Sequence, residues 1–162
     1  MFRVIIEWKI FEGGGDGMNI LVDADACPVK EIIVRLARKQ KVPVTMLIDT
    51  SHILNDGYSR VITVDKGRDS ADIRLVNLIE TGDIVVTQDF GVAAMALAKG
   101  ARVINQNGMI YDNSNMDRLL FERALGQEMR RAGSRTAKIK KRTKLDDESF
   151  ERVLSRMIDG NN

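Results

Sequence analysis

Two carboxylates, Asp23 and Asp25, stand one residue apart where the apolar run Ile20 to Val22 gives way to Ala26-Cys27-Pro28-Val29-Lys30. A short apolar run reads as a buried strand, and Pro28 suits the first turn of a helix, where its missing N–H costs nothing. Like charges this close repel, and a divalent cation is the usual remedy, with Mg²⁺ preferring carboxylate oxygens. Acids recur at equivalent places: Asp69 and Asp72 after a third strand, Asp89 after a fourth. If those strands are neighbours in one parallel sheet, their carboxyl ends bring the acids into one pocket. Such a pocket can hold Mg²⁺ or Mn²⁺, which would activate a water and neutralise charge building on a phosphoryl group. The alternative is that each acid caps the helix it precedes, a role for which Asp25, Asp69 and Asp89 are well placed. One His and one Cys offer no zinc cluster. Cys27, at a helix start, would favour a thiolate, yet the expected role is a small buried residue beside the site. His52 reads as a surface or packing histidine on a loop, and Lys66 as a turn lysine within reach of a phosphate.

These acids need a scaffold that alternates strands and helices, and from Met18 onward the pattern does so. Helices are expected over 29–40, up to residue 80, and over 91–99, with strands at 43–48, 60–64, 84–87 and 101–105. Asn107-Gly108 is a turn dipeptide that folds 109–112 back as a short arm. Asp65 and Asp83 read as turn residues. The chain has 162 residues, 44% hydrophobic and 30% charged, which suits one α/β domain with a mainly parallel sheet. A single cysteine fits a reducing compartment, and no apolar run approaches the ~20 residues of a membrane span. With no secretory signal read at the N-terminus, a cytoplasmic protein is expected.

Residues 1–17 differ from the rest, because Glu12-Gly13-Gly14-Gly15-Asp16-Gly17 packs nothing. Met18 is the expected natural start, and 1–17 a non-native or disordered extension. An α/β core follows over 18–113, then a helical extension of the same domain over 114–162. That extension opens with a long helix, 115–131, and ends in another from about residue 143. Between them lies the densest run of cations, Arg130, Arg131, Arg135, Lys138, Lys140, Lys141, Arg142 and Lys144, although net charge is only +2. Beside an acidic metal site this run is expected to clamp a nucleic-acid backbone; the alternative is a solvated linker. With few aromatics there, contacts would go to phosphates rather than bases.

The stretches Asp23-Ala24-Asp25-Ala26-Cys27-Pro28-Val29-Lys30, Lys66-Gly67-x-Asp69-Ser70-Ala71-Asp72, Gly82-Asp83-Ile84-Val85-Val86-Thr87-Gln88-Asp89, and Arg123 with Arg130-Arg131-x-Gly133 resemble the YaiI/YqxD family of bacterial proteins. That pattern is in turn similar to the PIN-like nuclease superfamily. The resemblance implies a three-layer PIN-like fold and a metal set of Asp23, Asp72 and Asp89, with Asp25 and Asp69 as further ligands. It also implies a divalent-metal nuclease; with the residues read above, a Mg²⁺- or Mn²⁺-dependent phosphodiesterase acting on RNA, or alternatively DNA, is expected, with Lys66, Arg130, Arg131, Arg135, Lys138, Lys140 and Lys141 contacting its backbone. Ala137-Lys138-Ile139 departs from the Gly-Gly-Pro expected after Arg135-Thr136. Two other readings stand beside it. An apolar strand running into Asp-x-Asp also opens haloacid-dehalogenase-type phosphatases, which would make Asp23 a covalent nucleophile and Asp25 the acid/base. Against that, Cys27 stands where Thr or Val is usual. The third reading is a non-catalytic RNA-binding protein. Oligomeric state is not set by any of these patterns.

Overall fold

The computed structural model describes residues 17–65, 70–135 and 140–160. The described elements run β1 (Ile20–Asp23), α1 (Lys30–Gln40), β2 (Val44–Asp49), β3 (Arg60–Val64), α2 (Ser70–Leu78), β4 (Ile84–Val86), α3 (Phe90–Ala98), β5 (Arg102–Ile104), β6 (Ile110–Tyr111), α4 (Asn113–Arg131) and α5 (Lys144–Ile158). They build a sheet in the order β3-β2-β1-β4-β5-β6. Its first five strands are parallel, and β6 pairs antiparallel with β5, as the Asn107-Gly108 turn requires. The architecture is α/β in three layers, consistent with a PIN-like fold.

Burial on both faces explains why β1 and β4 are continuous apolar runs rather than alternating ones. Successive side chains point to opposite faces. Ile20 and Val22 therefore join Ile33 of α1 and Phe150, Leu154 and Met157 of α5 on one side, all buried. Leu21 meets Leu75 of α2, Val92, Ala93 and Ala96 of α3, and Met116 of α4 on the other. The C-terminal helix thus closes one layer of the core, and Arg35 of α1 clasps Glu151 of α5 through two 2.8 Å hydrogen bonds. By contrast α4 buries Met116 and then leaves the body, with Phe121, Leu125 and Met129 exposed. Among the described residues no helix is long and apolar enough to cross a membrane.

Three local expectations shift. Pro28 lies in a turn and α1 begins at Lys30 after Val29. The long helix starts at Asn113, because Asp112 and Asn115 form a reciprocal capping box that the apolar pattern does not show. Asp83, expected as a turn residue, is buried at 2% exposure and accepts from the Asn19 and Glu80 N–H groups at 3.0 and 2.9 Å. The connectivity itself creates the crevice. The chain winds outward from β1 to β2 to β3, then crosses back to β4 on the other side of β1. Ligands of open α/β sheets sit at such a switch point, beyond the carboxyl ends of the strands.

Candidate metal centre

Asp23 ends β1 at that switch point. Pairing of Val22 with Val86 brings it beside Thr87, the first residue after β4. Thr87 is 3% exposed; its hydroxyl donates towards Asp23 Oδ2 at 3.5 Å and accepts the Asp89 N–H at 3.0 Å. Asp89 caps α3, its Oδ1 accepting the Val92 N–H at 3.0 Å. The cap reading and the metal reading are therefore compatible, since the cap engages Oδ1 and not Oδ2. A side chain at Gly91 would place its Cβ 3.0 Å from that Oδ1, so the glycine gives the carboxylate room. Asp72 lies in the first turn of α2, near enough for its charge to act on Asp23. Its charge is the strongest of those acting on Asp23, whose carboxyl is pushed up to about 6. Burial is the largest cause, followed by the charges of Asp72, Asp25 and Asp89, with only the Thr87 hydroxyl working the other way. Asp23 thus feels the charges of Asp72, Asp25 and Asp89, but among the described residues the group of acids and histidine whose ligand atoms lie within 4.8 Å of one another is Asp25, Asp49 and His52.

Asp25 turns outward, towards β2, through a backbone in which Ala26 takes the left-handed conformation at φ 54°. It does not cap α1. Its Oδ2 accepts the Asp49 N–H at 3.0 Å, where β2 ends. His52 Nδ1 lies 3.0 Å from Asp25 Oδ1 and 2.9 Å from Asp49 Oδ1, so these three side chains could also converge on a cation. Asp49 is already well supplied: it accepts from the Ser51 hydroxyl and from His52, which hold its carboxyl down at about 2. Asp25 is thus shared between an acid-rich inner group and an outer pair provided with its own donors. Sequence reasoning missed Asp49 and the proximity of His52, because nothing local says that the loop after β2 folds over the end of β1.

A small cavity of about 90 Å³ opens at the switch point, lined by Asp23, Asp25, Cys27, Thr87 and Gln106 among others. A buried acceptor of those residues, Gln106 Oε1, has no hydrogen-bond donor, and Asp25 Oδ1 has only the His52 ring nitrogen at 3.0 Å beside it. Anionic and neutral acceptors around one cavity fit a hydrated divalent cation, whose retained waters donate outward. The oxygen-only donor set favours Mg²⁺ or Mn²⁺ over zinc. Burial pushes the Cys27 thiol up, which keeps it a neutral packing residue rather than a nucleophile.

The cations divide. Arg130, Arg131, Arg135, Lys140 and Lys141 are exposed. Arg142 is tied to Asp147, Asn107 and the Gln106 carbonyl by bonds of 2.7–2.9 Å, so it anchors the segment instead of facing a ligand. Arg130 follows Arg123 by about 10 Å along α4 at the usual helical rise. Lys66, Asp69 and Lys138 lie outside the described residues.

Residues 21–160 match the profile of a family described as uncharacterized bacterial proteins, the YaiI/YqxD family. A UPF0178 protein of Ruminiclostridium cellulolyticum is 68% identical over 137 residues, covering 85% of this chain and 90% of the relative. UPF0178 proteins of Alkaliphilus oremlandii and Clostridium acetobutylicum are 56% and 52% identical, covering 89% and 87% of this chain and 93% and 97% of theirs. None of these names carries an activity.

Proposed function

The chain belongs to the YaiI/YqxD family, and from the site it carries we propose that it is a divalent-metal-dependent phosphodiesterase acting on nucleic acid, RNA in preference to DNA. One observation supports this above the others. Aspartates from three separate strand–helix junctions lie at one end of the sheet, and Asp23 is pushed up to about 6 by burial first and then by the charges of Asp72, Asp25 and Asp89. Such a group favours whatever cation neutralises it, and Mg²⁺ or Mn²⁺ held by Asp23, Asp72 and Asp89 would do so. The bound ion would supply an activated water and charge neutralisation at the phosphorus. Asp25 orients the shell while anchored to the end of β2, and Thr87 sets the spacing between Asp23 and Asp89. The exposed arginines of α4 and Lys140 and Lys141 give the phosphate backbone a path away from the rim. The phosphatase reading loses ground because the Asp49 N–H and His52 engage Asp25, leaving it poorly placed to shuttle a proton above Asp23.

Incubation with labelled RNA and DNA tests the proposal. Cleavage is expected with Mn²⁺ or Mg²⁺, none in EDTA, and none with Asp89→Asn, which keeps the helix cap but removes the charge. Wild-type protein that neither cleaves either substrate nor binds Mn²⁺ in a calorimeter overturns it.

A further inference from the structure

Met116 and Leu119 of α4 pack on the layer of α2 and α3, and the Arg123 guanidinium lies 5.5 Å over the Phe90 ring. These positions mark the side of the helix that faces the body. From Phe121 to Arg131, about 16 Å of helix at the usual rise, every residue but Gly126 is exposed. A helix this short is marginal in water without packing, and a glycine in its interior weakens it further. Three large apolar side chains nevertheless recur here every four residues: Phe121, Leu125 and Met129, exposed by 68%, 47% and 52%. Leu125 follows Met116 by about two and a half turns, so this stripe lies on the side turned away from the body. A contiguous apolar stripe left in solvent marks an interaction surface.

We infer that the stripe is a homodimer seam, on which α4 of a second copy of this chain packs antiparallel. The inference is independent of the phosphodiesterase reading. With Leu125 near the two-fold axis, Phe121 of each chain meets Met129 of the other, so the stripe complements itself when reversed. Side chains four residues apart form the ridges by which helices interlock. The flanking charges select the direction. Asp117 in the first half of α4 and Arg131 at its end lie about four turns apart, hence on one flank of the stripe. Among the described residues neither makes an ion pair within its own chain. Reversed pairing sets each Asp117 beside the other chain's Arg131, twice by symmetry, whereas parallel pairing would set Arg131 against Arg131. Antiparallel helix dipoles add to the same preference. On the other flank Glu122 is already held by Arg118 at 2.8 Å and brings no uncompensated charge to the seam. A phosphate backbone suits the stripe poorly, since Asp117, Glu122 and Glu128 border it. Arg130, about 100° round the helix from Arg131, stays outside the seam and can still meet phosphate.

Sedimentation equilibrium of the full chain across the micromolar range tests this. The mass is expected to rise with concentration from 18.1 kDa to a plateau at twice that value. Leu125→Glu, at an exposed position, should weaken association by about 10-fold or more while the chain still unfolds cooperatively in urea. Asp117→Arg and Arg131→Asp should each weaken it by about 5-fold, because each sets like charges together. The double exchange should restore it, and that rescue belongs to the antiparallel register alone. A chain that is monomeric throughout overturns the inference, as does a mass that climbs past two chains without a plateau. So does a dimer that Leu125→Glu leaves intact or that the double exchange fails to restore. A monomer whose RNA binding is lost with Leu125→Glu would overturn it too, by assigning the stripe to nucleic acid. None of these outcomes bears on metal-dependent cleavage, which is read separately.

Discussion

The two ends of the sheet each bury an aspartate, and they solve the problem differently. At the amino end, Asp83 is covered almost completely, and each carboxylate oxygen accepts a backbone N–H, from Asn19 and from Glu80. At the carboxyl end, Asp23 is less covered, has one long contact to Thr87, and faces three further acids. Both carboxyls sit above their ordinary range because burial disfavours charge. Asp83 is compensated from within the fold, and Asp23 is not. A buried acid with its donors in place is architecture, whereas one near other acids gains from whatever neutralises it, a proton or, on the proposed reading, a divalent cation. Asp49 makes a third case beside them, because Ser51 and His52 already satisfy it.

Substitutions should separate these cases. The largest effect is expected for Asp23→Asn or Asp89→Asn on metal-dependent cleavage: a loss of about 100-fold or more, read as initial rate at saturating Mn²⁺. Asp83→Ala should leave the metal response intact but cost about 2 kcal/mol of stability, seen in urea melts, because two buried N–H groups lose their acceptor. An Asp83 variant that loses metal binding while remaining stable would break the contrast. Asp23→Asn should do the reverse in metal-free protein at pH 7. The folded state holds the Asp23 proton more tightly than the unfolded chain, so stability is fullest below about pH 4 and falls as pH rises through about 6. Removing that carboxylate should therefore stabilise the protein at pH 7 by about 1 kcal/mol, allowing for its partial exposure, and raise Tm by a few degrees. Saturating Mg²⁺ should erase the difference or invert it. The smallest effect is expected at the outer pair. Asp49 titrates low, so its contribution is present above about pH 4 and fades as pH falls through about 2. His52→Ala should move the Asp49 carboxyl upward in an NMR titration but leave it below the usual range, since the Ser51 donors remain.

Much of this was legible in the chain because it is local. Apolar runs of three to six residues followed by small or acidic residues mark β1, β2 and β4 and the helices after them. The alternation of strand and helix implies parallel pairing, and parallel pairing implies one rim for Asp23, Asp72 and Asp89. What failed was non-local. The seating of Arg142 on the Asn105–Asn107 turn region and the folding of Asp49 and His52 over Asp25 join parts that no short window relates, whereas the Asp112–Asn115 capping box is local and lay outside the apolar pattern used to place α4.

By itself the sequence determined the α/β class, the family, the strand-end acids and the position of the cationic run, since these follow from periodicity and from residue types at fixed offsets. Only the tertiary structure decided what each acid has for neighbours. Asp83 and Asp23 flank apolar strands in much the same way along the chain, yet one meets amide hydrogens and the other meets charge. That difference comes from which segments lie across the sheet, and electrostatics depends on distance in space rather than on separation along the chain.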